Sequence, residues 1–401
     1  MAFCFAHAAV EATGTCDDCK KPICTKCTKG TLDGFMCPPC AQKRYGRQKL
    51  IVWTKISAVA VLLVGLAVFG LIVVGKGSER STARPDAGPA EKDPFIQTLR
   101  ETRDLAPCDK ESARKLVLEL MELHRYADAV DDAAGYFAKC DDFPKLRSNV
   151  IYALHQLGRN AEAVKHETAL ITRDPYDSDY WWWRGEDRSR TDEPERALAD
   201  YRQSIANSDS DRFSKSAVSR ILDTAGPAGR PCEAVAAIDY HAGFHHGSVH
   251  RDLIARARGL DQTSQCARTR GQGEQRLPPP GDADNVQVTV SIGGVEGTFL
   301  IETRCGTTMV SPAFAQLAQL APRPGPPIET IAVGAIRSGA PATATLAIGG
   351  ASAPETELVV ADGLPPGIDG VLGLSALWKF TLTLRDDDGG FTLDGPAAAA
   401  N

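Results

Sequence analysis

The run Ile56–Gly75, ISAVAVLLVGLAVFGLIVVG, constrains this chain more than any other stretch. It carries no charged residue and no strongly polar one beyond Ser57. About 20 residues rising 1.5 Å each cover about 30 Å, the thickness of a bilayer's hydrocarbon core. A cleaved leader would stand at the start of the chain, whereas here a cysteine-rich segment comes first. A surface-lying helix would need a polar face, which is missing. The sequence therefore predicts a single transmembrane helix within 50–75. Lys43, Arg44, Arg47, Lys49 and Lys55 precede the run without an acid, while Lys76, Arg80 and Arg84 follow it among Glu79, Asp86 and Glu91. Excess positive charge marks the cytoplasmic side. The expected placement is a single-pass membrane protein with a cytoplasmic N-terminus and an extracytoplasmic C-terminal region, periplasmic or extracellular.

The run also divides the cysteines. Residues 1–42 contain C-x2-H-x8-C-x2-C-x4-C-x2-C-x9-C-x2-C, formed by Cys4, His7, Cys16, Cys19, Cys24, Cys27, Cys37 and Cys40. Each two-residue gap lets a tight turn aim both side chains at one ion. Four such pairs supply eight ligands, enough for two tetrahedral, structural Zn²⁺ sites. A module this small lacks an adequate core, so metal binding would drive its folding. A disulfide cluster is the alternative, and a reducing cytoplasm opposes it. The spacing resembles the B-box zinc finger, including the His in second position. That resemblance implies interleaved sites, with Cys4, His7, Cys24 and Cys27 on one ion and Cys16, Cys19, Cys37 and Cys40 on the other. Sequential pairing stays open, because the B-box often ends in histidines. The resemblance also implies protein–protein contact without chemistry.

Residues 76–94 are polar and rich in Ser, Gly and Pro, and read as a linker. From 95 to 268 apolar residues recur at helical spacing, as at Leu116, Leu120 and Leu123. Ala129, Ala163 and Ala197 recur every 34 residues in similar contexts. That period, with Trp181, Gly185, Ala197 and Tyr201 in a W…G…A…Y pattern, resembles the tetratricopeptide repeat, a stack of antiparallel helix pairs. The resemblance implies a curved array with a concave face for a peptide or protein. Tyr180, Trp182, Trp183 and Arg184 are candidate exposed contacts there. A plain helical spacer is the competing reading. Cys108 with Cys140, and Cys232 with Cys266, read as two local disulfides by proximity, which leaves Cys305 without a partner. His241, His245, His246 and His250 have helical metal-ligand spacing. Gly243 and Gly247 weaken the helix it requires, so solvated histidines are expected.

Residues 269–284, with Pro278–Gly281, read as a second linker. Beyond them Val, Ile, Thr and Gly rise, and a C-terminal all-β barrel is expected over 285–396. VQVTVSI and VEGTFLIE form a hairpin around Gly293-Gly294, and KFTLTLRDDDGGFTLDG closes with another. The run FLIETRCGTTMVS at 299–311 and the run IDGVLGL at 368–374 resemble the two signatures of the retropepsin-like aspartic protease. In that family the first-signature Asp pairs with its mate across a dimer, and the two carboxylates share one proton to activate water. Glu302 occupies that position here, with an added methylene. Arg304 replaces the following glycine, where its guanidinium would favour ionised Glu302 and oppose proton sharing. Cys305 replaces a small residue. The resemblance makes Asp369 a structural acid of the second signature rather than a catalytic partner.

The fold class expected is thus multidomain: a zinc module, one transmembrane helix, a tetratricopeptide-like array and a degenerate retropepsin-like barrel. The net charge of −6 includes no basic stripe outside the membrane flank, so nucleic acid is not an implied partner. The expected function is a membrane scaffold or sensor that binds protein or peptide without catalysis. The alternative is a membrane-anchored aspartic endopeptidase that uses Glu302 in a homodimer formed through the C-terminal domain.

Overall fold

The computed structural model describes residues 93–208, 211–244, 251–276, 286–384 and 390–394, together with short segments between Phe3 and Met36. The chain divides into two compact units, Met1–Gly88 and Pro89–Asn401. In the first unit, Phe3–Cys4 pairs with His7–Glu11, Gly14–Thr15 with Pro22–Ile23, and Lys29–Thr31 with Gly34–Met36, all antiparallel.

Two expectations for the N-terminal part are corrected. Among the described residues no helix is long and apolar enough to cross a membrane. The longest described helix has 15 residues, short of the roughly 20 apolar residues a span requires. The run Ile56–Gly75 itself lies outside the described residues. The transmembrane helix, the membrane embedding and the single-pass placement, cytoplasmic on one side and extracytoplasmic on the other, are therefore not retained. The two Zn²⁺ ions are not retained either. The cysteines whose bonding is described form the disulfides Cys108–Cys140 and Cys232–Cys266, while Cys305 is free and buried. A sulfur committed to a disulfide offers no thiolate to a metal. The expected ligands Cys4, His7, Cys16, Cys19, Cys24, Cys27, Cys37 and Cys40 lie outside the residues whose side chains are described. So do His245, His246 and His250, while His241 is buried near the end of a helix.

The second unit opens with an array of helices: α1 (Pro94–Leu105), α2 (Lys110–Glu122), α3 (Tyr126–Phe137), α4 (Pro144–Leu157), α5 (Asn160–Arg173), α6 (Ser178–Arg190), α7 (Pro194–Asn207), α8 (Asp211–Ala225), α9 (Pro231–Phe244) and α10 (Arg251–Ser264). Local chemistry starts several of them. Asp93, Asp109 and Asp177 accept from backbone amides of the first turns of α1, α2 and α6, and proline opens α1, α4 and α7. The 34-residue recurrence marks pairwise packing. Ala129, Ala163 and Ala197 are all fully buried, Tyr201 of α7 packs on α6 at Gly185, and Trp181 packs against Ile171 of α5. A Cβ at Gly185 would lie 2.8 Å from the Tyr201 ring, so only glycine lets the two helices close. The Trp181 indole donates to Pro175 O at 2.7 Å. The two disulfides tie the α1–α2 loop to the α3–α4 loop and the start of α9 to the second residue after α10.

Beyond the array come β1 (Gln272–Arg276), β2 (Gln287–Ile292), β3 (Val295–Ile301), β4 (Thr308–Val310), α11 (Pro312–Leu317), β5 (Ile328–Ala332), β6 (Ala335–Ile348), β7 (Ala351–Val360), β8 (Gly370–Leu372), α12 (Leu374–Leu377), β9 (Thr381–Leu384) and β10 (Gly390–Asp394). The main sheet runs β5-β6-β7-β4-β8-β3-β2, and β2 pairs back onto β6 to close a barrel. β4–β7 and β8–β3 are parallel, and the other ladders are antiparallel. β6 reaches both ends because it is 14 residues long and carries a register shift between Ala344 and Leu346. The inward positions Val288, Val290, Ile292, Phe299, Leu346, Ile348 and Leu358 alternate along their strands and form the core with Phe314 and Phe380. Both expected hairpins form. β1 lies within the stretch read as a linker, where its polar sequence QGEQR pairs with β10.

α7 lies between the array and the barrel. Ala197 through Ser204 are all buried, a run no one-sided helix could show. Ala199 joins a cluster with Leu300, Met309 and Val371, while Trp378 joins the array's own cluster beside Tyr201. Ile331 packs against Ile171 and Trp181.

Candidate functional site

The loop after β3 is the first place where the barrel could carry chemistry. Ile301 ends its ladder opposite Leu372, and the Glu302 amide donates to Leu372 O at 3.1 Å. Cys305 N then donates to Glu302 O at 3.0 Å, which folds 302–305 into a tight turn. The second signature run holds the loop from one side: Leu374 N donates to Cys305 O at 2.8 Å, and Thr308 N to Ser375 Oγ at 2.9 Å. β5 holds it from another, with Thr307 N donating to Thr330 Oγ1 at 3.0 Å. Burial pushes the Cys305 thiol up to about 12, which leaves an inert, protonated sulfur.

The third side is closed by α7. Gln203 Nε2 donates to Arg304 O at 2.7 Å, and Gln203 Oε1 accepts from Gly306 N at 3.0 Å and Ile331 N at 2.9 Å. Arg202 Nη2 donates to Thr307 Oγ1 at 3.0 Å. Arg202 is fully buried between Glu233 of α9 and Glu357 of β7, and Glu357 also pairs with Arg323 at 2.8 Å. A second buried set joins the array to β5. Arg184 and Arg188 both bind Asp200, and both reach Glu329, at 2.9 and 3.5 Å. Burial raises the Glu329 carboxyl, but Arg184 and Arg188 outweigh it and hold the group below its ordinary value.

Glu302 itself turns toward the β5–β6 hairpin. Its Oε2 accepts from Val333 N at 2.8 Å. Val333 sits at φ 50°, a left-handed conformation that a β-branched side chain resists. The longer acid thus reaches the hairpin tip and fixes a strained turn there. Arg304, expected to act on Glu302, lies over the Tyr176 ring at 5.4 Å instead. Asp369 is held apart from this contact: its Oδ2 accepts from Thr298 N at 2.9 Å, and its amide donates to Thr298 O at 2.8 Å.

The barrel's strand order, the loop at Glu302 and the run at Gly370–Leu374 now stand together. Residues 288–376 match the aspartyl protease family model. Over those residues the C-terminal domain resembles the aspartyl proteases. Among solved structures, the chain is similar to MamA at 14% identity, covering 42% of this chain and 88% of that one, with TM-score 0.32. It is similar to a retropepsin-like aspartic protease from Rickettsia conorii at 19% identity, covering 31% and 92%, with TM-score 0.23. It is also similar to a thermophilic TPR protein of Thermus thermophilus at 16% identity, covering 41% and 88%, with TM-score 0.28. No curated protein matches the chain.

A second candidate site lies on the array, away from the protease-like domain. A groove of ≈ 420 Å³ is lined by Ser148, Ile151, Tyr152 and His155 of α4 and by Trp182, Trp183, Glu186 and Arg190 of α6. Trp182 and Trp183, singled out in the sequence, meet here. Arg184 does not: it is buried and bound to Asp200. Tyr180 packs against Trp183 at 5.7 Å between ring centroids. Tyr152 and His155 belong to the groove but carried no signal in the sequence, since each sits on the outward side of α4 as an ordinary polar-face residue would.

Proposed function

We propose that this chain is a peptide- or protein-binding protein whose retropepsin-like domain serves as a structural partner of the repeat array and does not cleave peptides. The observation that carries this reading is the seat of Gln203 in the Glu302 loop. Aspartic hydrolysis needs two carboxylates brought together over one water. Here the loop's outer approach is taken by α7 of the same chain, and the Glu302 carboxylate accepts the Val333 amide. A mate loop from a second copy would meet a carboxylate already engaged by the Val333 amide, on a loop whose other side is held by Gln203.

The binding surface in this reading is the α4–α6 groove. Its flat aromatic walls suit an aliphatic or aromatic side chain of an extended peptide, and two-ring side chains give large contact at small entropic cost. The test has two arms. The purified chain is incubated with an unstructured protein from acidic to neutral pH. No cleavage is expected, and cleavage abolished by Glu302→Gln would establish the endopeptidase, acting as a homodimer, in its place. A peptide library is then panned against the wild type and Trp183→Ala. Binders that lose at least tenfold affinity support the groove, and binders indifferent to the substitution refute it.

A further inference from the structure

Beside the α4–α6 groove, three side chains from three successive helices converge. His155 comes from α4, Glu167 from α5 and Asp187 from α6, and one ligand atom of each lies within 4.8 Å of the others. His155 Nε2 is 2.6 Å from Asp187 Oδ2 and 3.8 Å from Glu167 Oε1. Glu167 and Asp187 are fully buried, while His155 retains 28% exposure toward the groove. Among the described residues this is the group of His, Cys, Asp and Glu side chains with ligand spacing.

The unusual member is Glu167. Neither of its oxygens accepts a hydrogen bond, although both are buried. The neighbouring cations are committed elsewhere. Arg184 and Arg188 go to Asp200 and Glu329, and Arg190 goes to Glu186 and to the far oxygen of Asp187. A buried carboxylate facing a second carboxylate beside an imidazole is stabilised by a cation or a proton held between the two acids.

We propose that His155, Glu167 and Asp187 bind a divalent transition-metal cation beside the groove, behind its lining residue His155. One imidazole and two carboxylates form a mixed N/O donor set of the kind that suits Mn²⁺ and Co²⁺. Ligands around such an ion stand roughly 3–3.5 Å apart, so the observed spacing closes onto it by small side-chain movements. Three protein ligands leave a coordination position free, and His155 is the member open to the groove, so the ion is reached from that side. The site ties α4, α5 and α6 together beside the aromatic walls. A proton is the competing occupant, since burial and the adjoining Asp187 push the Glu167 carboxyl up to about 10.

Mn²⁺ is the probe of choice, because thiolates compete poorly for it and the N-terminal cysteines are then silent. Mn²⁺ is titrated into the full-length chain near neutral pH, and the free ion is followed by its electron spin resonance. The wild type is expected to bind one equivalent that Glu167→Gln and His155→Ala each weaken at least tenfold, with helical content unchanged by circular dichroism. In the wild type itself, substoichiometric Mn²⁺ is expected to broaden the His155 imidazole resonances ahead of the other histidines, a readout that needs no variant. Wild-type chain that binds no Mn²⁺ would overturn the proposal. So would equal binding by both variants, or broadening that spares His155; in each case the proton alone bridges the two acids.

Discussion

Gln203 and Gly306 are in direct contact across the join of array and barrel. Gln203 Oε1 accepts the Gly306 amide hydrogen at 3.0 Å, and a Cβ at position 306 would lie 2.8 Å from the Gln203 Cα and backbone nitrogen. Backbone meets backbone there, with no flexible atom to yield. Gly306→Ala is therefore expected to destabilise the chain by about 1–3 kcal/mol through overpacking. Gln203→Ala leaves the Gly306 and Ile331 amides buried without acceptors, at about 1–3 kcal/mol for each. Urea unfolding of the second unit's signal measures both. Wild-type stability in either variant would mean that α7 does not close on the loop.

Arg202 should be the costliest single side chain to remove at this join. It is fully buried, with Glu233 and Glu357 on its guanidinium. Burial opposes its charge, yet the two acids outweigh burial and raise its affinity for the proton. Arg202→Met strands the buried Glu233, leaves Glu357 with Arg323 as its close cation, and is expected to cost about 3–5 kcal/mol. Adding Glu233→Gln and Glu357→Gln to that variant should recover part of the loss. A triple variant no better than Arg202→Met would show that packing, not charge, is at stake.

The Glu302–Val333 contact makes a different forecast, one of gain. Val333 at φ 50° costs about 1–2 kcal/mol relative to a relaxed backbone. Val333→Gly should raise stability by about 1 kcal/mol, even though glycine loses side-chain contacts. In the Glu302→Ala background the strained turn loses its acceptor, and the same substitution should gain more. A double-mutant cycle by chemical denaturation gives the coupling, and a coupling of zero would dissociate the carboxylate from the turn.

His166 should impose an acid limb on stability. Burial, then the neighbouring Arg147, lowers its imidazole from 6.5 to about 4, and the neutral Nδ1 accepts from Arg147 Nη1 at 3.1 Å. The unfolded chain binds that proton below about pH 6.5, while the folded chain refuses it until about pH 4. Stability from this group is thus full above pH 6.5 and declines as pH falls between the two values. The ring is partly exposed, so solvent screening reduces the loss to about 1 kcal/mol. His166→Gln should flatten the curve in that window, and parallel curves for the two proteins would remove His166 as the cause.

Much of the second unit could be read from local pattern. Ala129, Ala163 and Ala197 announced helix pairs because small residues at a fixed period are what close packing demands. The Gly293-Gly294 turn announced its hairpin, and proximity alone paired Cys108 with Cys140 and Cys232 with Cys266. The Glu302 loop was legible as a signature, but its use was not. Sequence neighbours place Arg304 beside Glu302, yet it lies over Tyr176, because the array supplies a ring that the local sequence does not contain. Arg184 likewise looked like an exposed contact, since nothing within its own helix shows that Asp200 and Glu329 enclose it.

Sequence by itself determined the helix pairs of the array and the hairpins of the barrel, where their turns fall and which positions are too small to hold a side chain, though not β1, whose partner β10 lies far along the chain. Those choices rest on interactions within a few residues, or within one repeat, and periodicity records them. Tertiary structure alone decided that α7 is buried on every side, that Gln203 rather than a second carboxylate meets the Glu302 loop, and that His155, Glu167 and Asp187 converge. Each of these brings together residues from separate elements whose polarity, read locally, describes a solvent-facing surface. Polar groups satisfied by distant polar groups leave no trace in hydrophobic period, so only the folded chain reveals them.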